Sequence, residues 1–495
     1  MNEKFRSVIS DSSDDKVKVV YAWHGPKGPI WNTELPNILS MTSVAEGACG
    51  HMLSRDFWTD DLEPKMWRKS KDKFELVPAQ YIRDDDQRPF LYPFALAWRV
   101  PFESYFIQGS GILEFAHMPN FLIHLCRTSN GYILLDHSVE AFMADSELDS
   151  MYSYFHGQHW IPMYKIIYLT GAVNAQQLYD DWAQRRNIPN DKFHRMKIIP
   201  FASSREIFNN YLSHGDHDGN LAVEPEYDIE TVPPKLFLSW NRRFRPHRIY
   251  LGLLFEHLNL VDRSLISFNK VDDERNTVTF MSKVTNMLQE NNEENNGECI
   301  WPYNNQNQDF VFTEATGVKF NSRLPLKIDG ETDINKMCED FGYTAEYYKQ
   351  TLVSIVTETN FTANECTLTE KSFKPLLHKH PFITFGVPGA LQGLRDLGFQ
   401  TFGQFWDESY DETQSPGERF VKIANIIKEI GSWNDDQIRY FRCRVKPILD
   451  HNYNLLKTPG SKLIAEKIYN HISDTFEKGE IHETCNEQQC FRFAQ

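Results

Sequence analysis

The segment K-L-F-L-S-W-N-R-R-F-R-P-H-R, residues 235–248, places Asn241, Arg242, Arg243, Arg245 and Arg248 within eight positions. The whole chain is acidic, with 52 Lys and Arg against 68 Asp and Glu, so such a concentration of guanidinium groups calls for an anionic partner. Arginine holds phosphate through parallel charge-assisted hydrogen bonds, each contributing about 1.5–3 kcal/mol, which makes a nucleoside diphosphate the natural occupant. A salt-bridge network with nearby Asp and Glu is the competing account of the same residues.

A second stretch, residues 352–399, adds carboxylates and more cations. Leu352–Val356 is an apolar, partly β-branched run without polar alternation, the pattern of a strand covered on both faces in a parallel sheet. Polar Thr357, Glu358 and Thr359 follow where that strand ends, and ligands of open α/β sheets sit outside the carboxyl ends of the strands. Glu358 is therefore a candidate ligand residue. Thr369 suits a helix N-cap, which puts Glu370 and Lys371 in the first turn, where free backbone N–H groups favour an anion such as phosphate. Lys374, one turn further on, is counted with them, and solvated surface charge is the alternative for all three.

Regular elements must hold these residues in place. Lys235–Trp240 reads as a strand, and Pro246 opens a helix whose buried stripe is Leu251, Leu254, Phe255 and Leu258. Pro381–Phe385 reads as a strand ending at Gly386 and Pro388-Gly389. Leu391, Leu394 and Leu397 then recur at helical spacing until Gly398 closes the helix. A clearer helix follows Gly417, with Phe420, Ile423, Ile426 and Ile427 on one face.

The N-terminal half repeats the strand-helix alternation. Val17–Trp23 reads as a strand followed by the turn-rich H-G-P-K-G-P, which has neither a G-x-G-x-x-G nor a P-loop and is read as a plain turn. Asp84, Asp85 and Asp86 form an acidic loop, with a D-x-D metal site as the less favoured reading. Gly131–Phe142 holds a buried strand ending at Asp136 and His137, with Glu140 just beyond. A carboxylate or imidazole at such a strand end suits a general base, so Asp136, His137 and Glu140 are the catalytic candidates. The alternative makes Asp136 a helix cap and His137 a packed loop residue. Lys165–Thr170, a helix after Gly171, and the strand Arg195–Phe201 complete a second parallel sheet.

The pattern N-x6-R at a strand-to-helix junction, then E-T-N at a strand end, T-E-K opening a helix, and H-P-F-I before G-x-P-G resembles the nucleotide-sugar half of the α1,3-fucosyltransferase family. The segments N-R-R-x-R-P-H-R, T-E-K-x-F-K-P and D-E-S-Y-D (Asp407–Asp411) are similar to uncharacterised glycosyltransferase-like proteins of tailed marine phages. The likeness covers residues 230–430 well and the first half loosely. It implies two Rossmann-like α/β domains facing across a cleft, the arrangement called GT-B, with a GDP- or UDP-sugar held in the C-terminal domain. It also implies that Arg248 and Lys371 bind the diphosphate and that Glu358 and Glu370 contact the donor, with Asn241, Arg243, Arg245 and Lys374 completing the set. T-E-T-N stands here where the fucosyltransferases have F-E-N-S, and Lys374-Pro375 lies inside the helix.

The expected activity is transfer of a sugar from the nucleotide sugar to a hydroxyl of a glycan or of a hydroxymethylated base in phage DNA, inverting and with no metal required. A non-catalytic nucleotide- or glycan-binding phage protein is the alternative from a different class. With 41% hydrophobic and 14% aromatic residues the chain can fill packed cores. The expected division is an acceptor-side domain over 1–230, a donor domain over 231–430, helices over 431–480 that pack back, and a tail over 481–495. Residues 216–234 have linker composition and 291–308 an Asn/Glu-rich surface excursion. The formal charge of −16 gives no global basic field for nucleic acid. No zinc spacing, signal peptide or membrane span is read from the sequence, and the scattered cysteines suit a reducing cytoplasm, that of an infected bacterial host if the chain is phage-encoded.

Overall fold

The computed structural model describes residues 16–21, 24–25, 28–29, 72–78, 88–95, 120–138, 143–214, 223–241, 243–273, 276–290, 310, 312–328, 345–458 and 460–477. The acidic run 84–86, Glu140, Arg242, the 291–308 stretch and the tail beyond 477 lie outside the described residues. The chain forms two compact units, Met1–Glu206 together with Pro459–Gln495, and Ile207–Thr458.

The first described strand of the first unit is β1 (Val17–Tyr21), after which β2 (His24–Gly25) and β3 (Gly28–Pro29) pair antiparallel. With β4 (Phe74–Pro78), β5 (Phe90–Ala95), β6 (Gly131–His137), β7 (Ile166–Thr170) and β8 (Lys197–Pro200), β1 builds a six-stranded parallel sheet in the order β4-β1-β5-β6-β7-β8. Every residue of β6 and β7 is buried, which explains their unbroken apolar sequence.

Alternation along the strands divides this core into two layers. Ile133, Leu135, Ile166 and Tyr168 pack with Leu125, Met151, Tyr179 and Trp182 from the helices between the strands. Tyr132, Leu134, Ile167 and Leu169 face the other way, onto Ile464, Ala465, Ile468 and Ile472 of the helix Gly460–Glu477. The sheet is thus covered on both faces, on one of them by the helix Gly460–Glu477.

The second unit holds β9 (Lys235–Trp240), β10 (Ser264–Ser267), a hairpin of β11 (Val271–Asp273) and β12 (Asn276–Thr279), then β13 (Thr351–Thr357) and β14 (Phe382–Phe385). Its main sheet is parallel throughout, in the order β10-β9-β13-β14. The helix Pro246–His257 after β9 is buried from His247 through Glu256, and at Gly252 a Cβ would stand 2.8 Å from the Phe320 ring. Both units are therefore α/β structures of Rossmann-like build.

Residues 223–234, linker-like in composition, are tied to the second unit. Glu224 pairs with Lys379 at 2.6 Å and Lys457 at 2.9 Å. Arg442 lies 4.7 Å from the Tyr227 ring centroid and donates to the carbonyl of Asp228. Among the described residues no helix is long and apolar enough to cross a membrane. Cys126 and Cys443 carry free thiols.

Candidate functional site

The carboxyl ends of β9 and β13 meet beside the start of the helix Glu370–Leu377, and most of the residues singled out from the sequence gather there. Arg248, in the first turn of the helix after β9, is 4% exposed and donates from Nη2 to the carbonyls of Thr357 (3.2 Å) and Glu358 (3.3 Å). Its Nε is buried and has no hydrogen-bond partner among the described residues. Burial and then the neighbouring Arg245 bring its guanidinium down to about 10, against the opposing pull of Glu358 and Glu370. It stays charged at neutral pH.

Glu358 is buried, and protein donors surround its carboxylate. Oε1 accepts from Thr369 N (3.2 Å) and Ser372 Oγ (2.7 Å), and Oε2 from Thr359 N (3.3 Å) and Thr369 Oγ1 (2.5 Å). With two donors on each oxygen, this carboxylate is committed to holding the helix start instead of facing a ligand. Asn241 is committed in the same way. Its Oδ1 accepts from Thr357 Oγ1 (3.0 Å), its Nδ2 donates to Ser239 Oγ (3.0 Å), and its backbone N–H donates to Ser267 Oγ (3.0 Å), joining β9, β10 and β13 at their ends.

Thr369 is the N-cap, accepting from Lys371 N. The Lys371 ammonium lies 2.5 Å from Glu370 Oε1 and 3.3 Å from Thr369 Oγ1, and about a quarter of its side chain is exposed. Burial alone would raise the Glu370 carboxyl, but Lys371 and then Lys374 outweigh it and hold the group below the ordinary carboxylate range. Hydrogen bonds therefore lead without a break from Arg248 through Glu358 and Thr369 to Lys371. Arg243 is exposed and Arg245 half-buried, and both bear electrostatically on Arg248.

His247 and Ser372 belong to this network and were not singled out from the sequence. Their signal was position alone, beside Arg248 and Lys371 respectively.

D-E-S-Y-D serves the architecture. Asp407 caps its own turn through Ser409 N (2.9 Å). Glu408 accepts from Arg395, Thr401 and Phe402 N, each at 2.7 Å. Asp411 accepts from the backbone N–H groups of Leu391 and Gln392, both at 2.9 Å, at the start of the helix Ala390–Asp396.

In the first unit Asp136 and His137 stand at the end of β6 with 1% and 0% exposure. Asp136 Oδ1 accepts from Ser138 N (3.0 Å), and His137 Nδ1 lies 3.1 Å from Tyr168 OH. That aspartate caps a turn; the next described helix begins at Asp145. No group of three or more His, Cys, Asp or Glu among the described residues is arranged to hold a metal.

No family model and no curated protein matches the sequence. Among solved structures the chain is similar to an α,α-trehalose-6-phosphate synthase from Burkholderia multivorans, with 12% identity and a TM-score of 0.40 over 80% of this chain and 73% of that one. It is also similar to the N-terminal domain of Candida albicans trehalose-6-phosphate phosphatase, with 10% identity and a TM-score of 0.39 over 93% and 97%. A third similar structure is Anabaena Alr3699/HepE in complex with UDP and glucose, with 11% identity and a TM-score of 0.33 over 92% and 99%. At those values the site rests on its own residues.

Proposed function

We propose that this chain is a glycosyltransferase of the GT-B kind that uses a GDP- or UDP-sugar and transfers the sugar to a hydroxyl acceptor. The observation that carries the reading is the buried Arg248 guanidinium, its Nε unpartnered, linked by hydrogen bonds to the start of a helix that bears Lys371. A pyrophosphate would accept from the Arg248 guanidinium, whose Nε has no partner among the described residues, and compete with Glu370 for the Lys371 ammonium, so that negative charge developing on the leaving group is neutralised. Arg243, Arg245 and Lys374 add to that field, and Glu370, released from Lys371, would accept from donor hydroxyls. Glu358 and Asn241 hold these groups in place.

The proton acceptor for the incoming hydroxyl is proposed among Asp136, His137 and Glu140, on their position at and after the end of β6. The reading includes inversion, no required metal, a cytoplasmic setting, and a glycan or a hydroxymethylated base of phage DNA as acceptor. Duplex binding would weaken steeply with salt and small-glycan binding would not, so a salt titration separates the two acceptors. The test of the function is a screen of GDP- and UDP-sugars for thermal stabilisation, followed by release of free nucleotide. Stabilisation by one donor and its turnover are expected. Turnover undiminished in Arg248→Gln would contradict the reading, and stabilisation without turnover would leave a binding protein.

A further inference from the structure

Arg248 makes both of its hydrogen bonds to the backbone at the end of β13, so the placement of its guanidinium is as good as the placement of that peptide. Something must fix the Thr357–Thr359 backbone from another side. His247, one residue earlier in the same helix, does so from within the core. Its Nε2 lies 2.9 Å from the carbonyl oxygen of Glu358, and since a carbonyl can only accept, Nε2 carries the proton. The ring is 3% exposed, stacked on Phe361 at 5.5 Å and 12°, and tilted against Phe385 at 6.0 Å. Phe361 lies in the segment between β13 and the helix Glu370–Leu377. Arg419 fastens it there, donating to its carbonyl and lying 4.3 Å from its ring centroid.

We infer that His247 is a positioning residue for the diphosphate site: as a neutral donor packed against the stacked pair Phe361 and Phe385, it holds the Glu358 peptide on which Arg248 is seated. This rests on the reading of Arg248 as the diphosphate ligand. Burial and the neighbouring charges of Arg248, Arg245 and Arg419 bring the imidazole down to about 3, so the donor role persists across the neutral range.

His247→Phe keeps the stack and removes the donor; His247→Gln restores an N–H at a similar reach. The experiment measures two quantities on the full chain: amide hydrogen exchange across residues 357–372 without ligand, and the Kd for GDP and for UDP. The expected result is exchange at Thr359 and Thr369 at least tenfold faster in His247→Phe, a Kd raised about tenfold for whichever nucleotide wild type binds, and recovery of both in His247→Gln. Unchanged exchange in His247→Phe overturns the positioning role whatever the nucleotide data show. Faster exchange with an unchanged Kd overturns its relevance to the site. If wild type binds neither nucleotide, the diphosphate reading fails, and the exchange data still decide whether His247 holds the peptide. Should His247→Phe not fold, His247→Gln against wild type supplies the same two readouts, with unchanged values expected and a loss of either contradicting donor equivalence.

Discussion

Two helices of the second unit start where a buried carboxylate from another part of the chain meets their first residues, and the two starts are built differently. At Ala390–Asp396 the buried carboxylate of Asp411 accepts directly from the N–H groups of Leu391 and Gln392, so the positive end of the helix is already neutralised. At Glu370–Leu377 the buried carboxylate of Glu358 bonds the cap residue and Ser372, and two further cations, Arg248 and Lys371, stand around it. One start is closed by the protein's own anion, while at the other Glu358 and Glu370 stand beside Arg248 and Lys371, and the buried Arg248 Nε has no hydrogen-bond partner among the described residues. Both starts expose the same backbone groups to begin with, so what would make one of them an anion site is a donor left unfilled beside it.

The comparison breaks if Arg248 is dispensable. Arg248→Gln is expected to lower turnover about 10²–10³-fold, the usual loss on removing one donor to a developing charge. It also removes the Arg248 donor from the Thr357 and Glu358 carbonyls, of which the second keeps His247 Nε2, at a cost of about 1–3 kcal/mol in a denaturant titration.

At the closed start the effect should fall on stability alone. Asp411→Ala is expected to cost about 1–2 kcal/mol by the same titration, with nucleotide affinity unchanged.

Acid should then act on the two starts in opposite senses. The imidazole of His247 is brought far below its unfolded value, to about 3, so the unfolded chain binds more protons than the folded one between there and roughly pH 6.5. Stability contributed by the neutral ring is present above that range and is lost as pH falls through it, at up to about 1.4 kcal/mol per pH unit. His247→Phe should flatten the slope of stability against pH by that amount. Burial raises the Asp411 carboxyl, so its contribution runs the other way: stability is lost as pH rises through its folded value, and Asp411→Asn removes that slope.

The smallest effect is expected at Lys371, whose side chain is partly exposed. Lys371→Ala should weaken nucleotide binding about fivefold and leave stability within about 0.5 kcal/mol, as surface substitutions do. A larger loss of stability would make Lys371 part of the cap instead of part of the site.

The elements of the second unit were readable because their signals are local. Lys235–Trp240 is a strand over the span its apolar run indicated, Thr369 caps the helix it was assigned to, and Pro246 opens its helix at the first position. The roles of the side chains were less readable. Glu358 and Arg248 look alike in sequence as charged residues at strand-helix junctions, yet one is filled by four protein donors and the other has a buried Nε with no hydrogen-bond partner among the described residues. That difference depends on Thr369 and Ser372, more than ten residues away, folding back onto the carboxylate. Asn241 was hidden for the same reason, since its partners come from β9, β10 and β13. His247 was missed because a histidine in an apolar helix gives no sign of what its ring will stack on.

The central claim is that the second unit holds a pyrophosphate at Arg248 and Lys371. Calorimetric titration of the full chain with GDP and UDP, each beside its nucleoside, tests it most directly. The account predicts that at least one diphosphate binds at least a hundredfold more tightly than its nucleoside, and that Arg248→Gln erases most of that difference. Equal affinity for diphosphate and nucleoside, or a difference that survives in Arg248→Gln, would contradict it.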